Sequence, residues 1–543
     1  MSATLRVVMA QLNLLVGDIE GNTQRVIDAA NKAKSEHSAD AIVFPELTLT
    51  AYPPEDLLLR DSLEVRITKA IDRLLAEVEG ISLVVGYPRR KEAGLFNMAG
   101  VIRDGEIVVE YAKQKLPNYQ VFDEKRYFVA GNEPVVFPLN GVPVALSICE
   151  DLWHKEPIAK AASAGAKLVF NLNASPFHVD KLSERQDLLC QRVTETGMPI
   201  LYVNQVGGQD ELIFDGGSMA ADVCGSVKYS APCFEEGLFL VEFTFDGNNC
   251  RLASEREEPV LSLEALVYQA LVTGVRDYVN KNGFKGVVLG LSGGIDSALT
   301  LAVAVDALGK DRVHAVMMPF RYTSTMSIED AAEEAALLGV GYEVVSIESI
   351  YESFMGALDP LFVGTKKDTT EENLQARCRG VLLMALSNKK GYMVLTTGNK
   401  SEMAVGYATL YGDMVGGYSA LKDVFKTLVF RLSNYRNSLG YVIPQRVIDR
   451  PPSAELAPDQ VDEDSLPSYD ILDQILAHYI EDDLSADQII AQGFESETVN
   501  RVVRLVDVNE YKRRQAPVGV RITQRGFGRD RRYPITNGWK LGE

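Results

Sequence analysis

Cysteine is scarce in this chain: six residues in 543, none of them in a C-x-x-C pair. That excludes a disulfide framework and a cysteine zinc site. No apolar run reaches the roughly 18 residues that cross a bilayer, so no membrane partner is expected. Positive charge is also short, with 55 Lys and Arg against 75 Asp and Glu and a formal net charge of -20. A phosphate-backbone binder carries the opposite balance, so no nucleic-acid partner is expected either. Only five histidines are present, and none sits in a nucleophile motif, which disfavours Ser-His-Asp and Cys-His schemes. The opening MSATLRVVMAQLN places polar residues where a secretory leader needs an unbroken apolar core. G-x-G-x-x-G and G-x-x-x-x-G-K-[ST] are both missing, so neither a dinucleotide fingerprint nor a Walker-type loop is indicated. These absences read as a protein of a reducing compartment, the cytoplasm.

What is present is ordinary globular material, 46% hydrophobic and 24% charged, and the length suits two to four domains. In the first half, apolar runs end in polar residues of the kind that do chemistry. These are LRVVMAQLN (5–13), AIVFPEL (41–47), ISLVVGYP (81–88), VPVALSICEDLW (142–153), AKLVFNLNAS (166–175) and PILYVNQVGG (199–208). MAGVIRDG and EIVVEYAK (98–113) read as a hairpin turning at Asp104-Gly105. A charged, weakly periodic stretch at 251–262 reads as a linker between a domain at 1–250 and a second at 263–543. After a helix at 263–280 the strand–helix alternation restarts, which argues an open parallel sheet. EDDLSADQIIAQG (481–493) reads as an acidic helix, and YKRRQAPVGVRITQRGFGRDRRY (511–533) is strongly basic.

The sharpest local signal is Ser292-Gly293-Gly294-Ile295-Asp296-Ser297, after the apolar run 287–291 and at the start of an Ala- and Leu-rich helix. Glycines admit an anion close to the backbone, and the helix start offers unpaired N–H groups. Asp296 would repel a phosphate unless a divalent cation lies between them. The loop resembles that of the ATP-pyrophosphatases. Further runs narrow the likeness: Glu372-Asn373-Leu374-Gln375-Ala376-Arg377, Thr396-Thr397-Gly398-Asn399-Lys400-Ser401-Glu402, Tyr411-Gly412-Asp413, Asp423-Val424-Phe425-Lys426-Thr427 and Pro452-Ser453-Ala454-Glu455-Leu456. Together they resemble the NAD+ synthetases. The resemblance implies ATP bound by Ser292, Gly293, Gly294, Ile295, Asp296, Ser297, Thr397, Lys426 and Ser453. It implies Mg²⁺ on Asp296 and Glu402, and deamido-NAD on Asn373, Arg377, Glu402, Asp413 and Lys512.

In the first half, Cys149 ends an apolar strand. Glu46 ends another, and Lys115 follows the hairpin in YAKQKLPNY. Glu, Lys and Cys at successive strand ends, flanked by Phe44-Pro45-Glu46-Leu47 and Ile148-Cys149-Glu150-Asp151, resemble the nitrilase/amidase superfamily. The likeness spans about the first 245 residues. It implies that Cys149 attacks an amide carbonyl, that Glu46 takes and returns the proton, and that Lys115 stabilises the oxyanion. It also implies that Glu124 positions the lysine and the substrate, and that Tyr119, Ser175 and Lys181 line a glutamine pocket. Lys181 stands where some relatives carry Arg. Cys190, Cys224, Cys233, Cys250 and Cys378 lack such context and read as structural.

An amide hydrolase makes ammonia, and an adenylating domain makes a carboxylate that consumes it. The combination resembles the glutamine-dependent NAD+ synthetases over nearly the whole chain. It implies an α/β protein: an N-terminal nitrilase-like αββα sandwich, then a Rossmann-like (adenine nucleotide alpha hydrolase-like) parallel sheet flanked by helices. It also implies homo-oligomers through the synthetase domains. The basic tail is expected to contact phosphate or an interface. Two alternatives remain at this point. One is an amidotransferase acting on a tRNA base or a purine nucleotide. The other is a nucleotide sensor that has lost catalysis.

Overall fold

The computed structural model describes residues 3–458 and 460–536. The chain divides between Val260 and Leu261 into two compact units. The break falls within the stretch read as a linker, but that stretch is not all loose. Cys250–Leu252 is a strand paired antiparallel with Gly237–Phe245, and Arg256 bridges to Tyr229. No helix among the described residues is long and apolar enough to cross a membrane.

The first unit is built from two large sheets. One has seven strands in the order Cys250–Leu252, Gly237–Phe245, Ala3–Gln11, Ala41–Val43, Ser82–Lys91, Gly94–Arg103 and Glu106–Ala112. The other has six: Ser226–Ser230, Met219–Asp222, Ile200–Asn204, Leu168–Asn173, Val142–Ile148 and Val136–Leu139. Side chains alternate across a strand, and here both faces are apolar. Leu5, Val7 and Met9 join Val144, Leu146 and Ile148 in a core between the sheets. Val8 and Ala10 pack with Val26 and Ala30 of the helix Ile19–His37 and with Ile67 and Leu74 of the helix Asp61–Glu77. On the opposite side, Ala145 and Val169 meet Ile158 and Leu189 of the helices Lys155–Ser163 and Lys181–Thr196. The layers therefore run helix, sheet, sheet, helix. The hairpin turns at Asp104-Gly105, where both residues have positive φ (49° and 83°), as a two-residue turn matched to strand twist requires.

The second unit holds a five-stranded sheet, all pairings parallel, in the order Gly341–Val344, Val313–Met317, Val287–Gly290, Met393–Thr396, Tyr418–Ser419. Successive strands move outward on one side of Val287–Gly290, and the next is placed on its other side. Ligands of open parallel sheets bind at the carboxyl ends beside such a reversal. Helices Leu263–Lys281, Ile295–Leu308, Thr369–Lys390 and Lys426–Leu439 flank the sheet. A C-terminal helical cluster packs Leu472, Ile475, Ile489, Val499 and Val503 against Ala404 and Val405.

One expectation changes here. The stretch 481–493 is not one helix. Glu481 ends the helical turn Ala477–Glu481, Asp483 takes φ +55°, Ser485 accepts the Gln488 N–H as an N-cap, and a separate helix spans Ala486–Ile490. Part of the basic tail, expected to contact phosphate or an interface, is packed inside this unit. Arg513, Arg521 and Arg531 are buried and pair with Glu510 (2.9 Å), Asp530 (2.6 Å) and Glu510 (3.2 Å).

Candidate functional sites

In the first unit, Glu46 lies just past the strand Ala41–Val43 of one sheet, and Cys149 just past Val142–Ile148 of the other. The Glu46 N–H donates to Asn173 O at 3.3 Å, which fastens the two sheets together at this point. Cys149 opens a short helical turn, Cys149–Trp153, with φ +41°. A residue with a Cβ adopts that conformation only under constraint, and such strain collects at reactive positions. Lys113 is the lysine that meets Glu46. Its Nζ is 2.7 Å from Glu46 Oε1 and 2.8 Å from Glu124 Oε1, with its side chain fully buried. Asn97 Nδ2 also donates to Glu46 Oε1 (2.7 Å), and the Tyr52 hydroxyl donates to Glu124 Oε1 (3.0 Å). The second oxygens, Glu46 Oε2 and Glu124 Oε2, are buried with no protein partner.

Lys115, expected in that role, is elsewhere. Its Nζ pairs with Glu156 at 2.8 Å and its side chain is 30% exposed. The reason is where the sheet stops. Lys113 still exchanges backbone hydrogen bonds, donating to Asn97 O and accepting from Gly131 N–H, whereas the N–H groups of Gln114 and Lys115 turn away to Asp151. Burial, and then Glu46, push the Cys149 thiol well above its ordinary range. Burial alone would depress the Lys113 ammonium, but Glu124 and Glu46 hold it well up. Burial raises Glu124, and Lys113 opposes part of that rise.

The expected glutamine-pocket residues surround this turn. The Tyr119 hydroxyl donates to Glu150 Oε2 at 2.9 Å. Lys181 Nζ lies 4.0 Å above the ring of Trp153 and pairs with Glu184 at 2.9 Å. Ser175 Oγ accepts from the buried Arg185 Nε at 3.1 Å, and Arg185 is held by Asp215 at 2.8 Å.

In the second unit, Ser292–Ser297 leaves the strand Val287–Gly290 and enters the helix Ile295–Leu308 at its amino end. Gly293 has φ +79°, and a Cβ there would lie 2.3 Å from Ser327 O, so only glycine fits. Ser292 Oγ accepts the Gly294 N–H (3.2 Å) and lies 3.1 Å from Ser297 Oγ. A cavity of about 290 Å³ opens here, lined by the loop together with Thr397, Glu402, Asp413, Lys426 and Ser453. Lys426 Nζ bridges Asp296 Oδ2 (2.5 Å) and Glu402 Oε1 (3.1 Å), and Asn399 Nδ2 donates to Asp296 Oδ1 (2.8 Å). Burial would lower the lysine, but the two carboxylates hold it up; burial raises Glu402, with Lys426 opposing.

Asn373, Arg377 and Lys512 do not line that cavity. They gather around 406–413: Asn373 Oδ1 accepts from the Thr409 hydroxyl (2.7 Å), Arg377 donates to Leu410 O (3.2 Å), and Lys512 donates to Gly406 O and Ala408 O (2.8 and 2.9 Å). Asp413 Oδ1 accepts the Thr409 N–H at 2.7 Å, so it links the two groups. Among the described residues no three His, Cys, Asp or Glu side chains gather as a metal site. Asp296 and Glu402 converge on Lys426 at the cavity wall. Two carboxylates, completed by phosphate oxygens and water, are a donor set that fits Mg²⁺.

Comparison with known proteins shows the family. A family model for carbon-nitrogen hydrolase matches residues 6–247, and one for NAD synthase matches 267–516. The chain is 52% identical to the glutamine-dependent NAD(+) synthetase of Acinetobacter baylyi over 540 residues, 99% of each chain. It is 44% identical to that of Thermotoga maritima over 574 residues, again 99% of each. The solved structure of glutamine-dependent NAD+ synthetase from Acinetobacter baumannii in complex with ADP matches with a TM-score of 0.80 at 50% identity, covering all of both chains. The chain belongs to the glutamine-dependent NAD(+) synthetases. For a member of this family, sequence reasoning missed several residues at the sites: Lys113, Asn97, Tyr52 and Asp151 in the first unit, Asn399 and Arg450 in the second. Arg450 donates to Gly293 O and, at 2.9 Å, to Ser327 Oγ, pinning the glycine turn. Lys113 and Asn399 lie inside runs that the sequence had already singled out. Asn97 and Tyr52 had no such signal: Asn97 joins the site through the pairing of Gly94–Arg103 with its neighbours, and Tyr52 reaches Glu124 from the loop that follows Glu46.

Proposed function

We propose the following division of labour in this glutamine-hydrolysing, ATP-dependent carbon–nitrogen ligase, with Cys149, Glu46 and Lys113 as the glutaminase centre. The observation that carries it is Lys113 held between Glu46 and Glu124, with a spare carboxylate oxygen on each side, beside a strained Cys149. Because the buried thiol is held well up, it needs a base. Glu46 takes the thiol proton as sulfur attacks the side-chain amide carbon of glutamine. The Lys113 ammonium and the backbone N–H following Cys149 stabilise the oxyanion. Glu46 returns the proton to the departing nitrogen, ammonia leaves, and a thioester remains. Glu46 then deprotonates water, which releases glutamate and restores the thiol. Glu124 keeps Lys113 charged and aimed, while Tyr119, Ser175 and Lys181 hold the amino-acid end of glutamine.

In the second unit, a carboxylate oxygen of deamido-NAD attacks the α-phosphorus of ATP and pyrophosphate departs. Ammonia then attacks the adenylated carbonyl carbon, AMP leaves, and NAD+ is formed. Ser292–Ser297 supplies N–H and hydroxyl donors to the phosphates; Thr397 and Ser453 complete the nucleotide wall, and Lys426 neutralises the phosphates. Asp296 and Glu402 would hold Mg²⁺, which when bound supplies charge neutralisation on the phosphates. Asn373, Arg377, Asp413 and Lys512 are assigned to the acceptor dinucleotide. The six free thiols fit a reducing cytoplasm. A homo-oligomer through the synthetase unit belongs to the same proposal. Exposed Phe354, Leu361 and Val363 on that unit support it, and the mass in solution tests it.

The deciding experiment uses Cys149→Ala with two nitrogen sources. Glutamine-driven NAD+ formation and glutamate release should vanish, while ammonium salts still drive synthesis. Undiminished glutamate release would overturn the assignment.

A further inference from the structure

Asp151 is a fully buried carboxylate two residues beyond the nucleophile. It makes four hydrogen bonds, and they divide between two segments of chain. Oδ1 accepts the backbone N–H groups of Gln114 (3.0 Å) and Lys115 (2.8 Å). Oδ2 accepts the Tyr111 hydroxyl (2.7 Å) and the backbone N–H of Ile148 (3.0 Å). Three of the donors thus flank Lys113, and the fourth immediately precedes Cys149. No other side chain among those described at this site is bonded to both segments in this way. Lys113 comes from the seven-stranded sheet and Cys149 from the six-stranded one, so their spacing is an inter-sheet distance. Side chains in a sandwich core slide more readily than hydrogen-bonded backbone, and a buried, fully bonded carboxylate is a rigid connector.

We infer that Asp151 is a positioning residue that sets the Lys113–Cys149 geometry, fixing the oxyanion-stabilising ammonium relative to the attacking sulfur. It touches neither substrate nor the reacting atoms. Burial pushes its carboxyl up to about 6, and the Tyr111 and Ile148 donors and Lys113 oppose any further rise, so it is ionised and accepting at neutral pH. The Lys115 side chain is dispensable in this arrangement, because only its backbone N–H takes part. The inference rests on the glutaminase reading of Cys149.

The test compares the full-length native protein with Asp151→Asn, Tyr111→Phe and Cys149→Ala. Glutamate release is measured per active site, with sites counted by covalent titration with a diazoketone analogue of glutamine. Asp151→Asn keeps the size but turns one pair of acceptor sites into donors facing donors. Its kcat should fall on the order of 100-fold, as a misplacement of about 1 Å does. The KM for glutamine should stay within about twofold, the signature of an interaction used in the transition state. Ammonium-driven NAD+ formation should be native. Tyr111→Phe removes one donor of four without changing shape, and should lower kcat by about fivefold. It decides the matter if Asp151→Asn does not fold. Native kcat in both variants overturns the inference. So does a loss explained wholly by fewer titratable sites, or one carried by KM. Persistent glutamate release from Cys149→Ala would instead strike the reading of the site itself.

Discussion

The candidate site of each unit places a buried lysine between two carboxylates, and these two arrangements differ in what surrounds them. Around Lys113 the side chains of Glu46 and Glu124 are 1% and 6% exposed. Around Lys426 those of Asp296 and Glu402 are 16% and 18% exposed, on the wall of a cavity. The enclosed triad suits chemistry in which a single proton moves while the charges stay put. Its spare oxygens, Glu46 Oε2 and Glu124 Oε2, lie buried, where each interaction is strong. The open triad suits exchange of partners, in which a lysine trades carboxylates for phosphate oxygens. A third grouping sharpens the point. Lys400 lies 2.7 Å from both Asp423 and Glu481, but Asp423 is filled by the N–H groups of Ile522 and Thr523 and by the Thr523 hydroxyl. With no acceptor left over on Asp423, that lysine fastens the C-terminal segment and has no reagent to meet. Spare acceptors around Lys113 separate that arrangement from the filled clasp at Lys400.

The strongest way to break the comparison is Lys113→Met against Lys115→Met. The first removes the oxyanion donor and leaves Glu46 and Glu124 facing each other, so glutaminase kcat should fall on the order of 10³-fold. It should also destabilise the first unit by about 3–5 kcal/mol, because one buried charge partner is removed. Lys115→Met should change the rate by less than about threefold, since it loses only a partly exposed ion pair. Equal effects of the two substitutions would mean that the enclosed triad is not the catalytic one. Glutamate release and thermal melting measure both.

Lys426→Met makes the matching cut in the second unit. NAD+ formation should drop on the order of 100-fold with glutamine and with ammonium alike, because a charge stabiliser of the phosphates is lost. Glutamate release should stay at the native level. A loss seen with glutamine but not with ammonium would place the lysine's role in nitrogen supply and erase the distinction between the two triads.

The contrast between the triads also explains what could be read from the sequence. Apolar runs ending in Glu46 and Cys149 announced strand ends, and the glycine turn at 292–297 announced an anion loop, because both signals are local. The choice between Lys113 and Lys115 was not local. Both lie in YAKQK, and only the point where the ladder to Asn97 ends tells which one faces Glu46. The stretch 481–493 carried helical composition, but Ser485 capped a new turn inside it. The basic run 511–533 was expected to reach phosphate or an interface, and its composition did not show that Arg513, Arg521 and Arg531 are buried against Glu510 and Asp530. Partners brought together by packing leave no periodic trace.

The smallest expected effect tests whether the open site depends on its turn as the enclosed one depends on its sheets. Gly293→Ala puts a methyl group where Ser327 O would be 2.3 Å away, at a φ of +79°. The backbone strain alone is worth about 1–2 kcal/mol. The helix Thr325–Leu338 or the turn must then shift, and Arg450, which pins Gly293 O, loses its alignment. The N–H groups aimed at phosphate move with the turn. KM for ATP should rise about tenfold, with a lower melting transition for the second unit and unchanged glutamate release. If the KM for ATP is native although the transition is lowered, the turn serves the fold without gripping the phosphates. The open site would then owe its nucleotide affinity to Lys426 and the cavity wall.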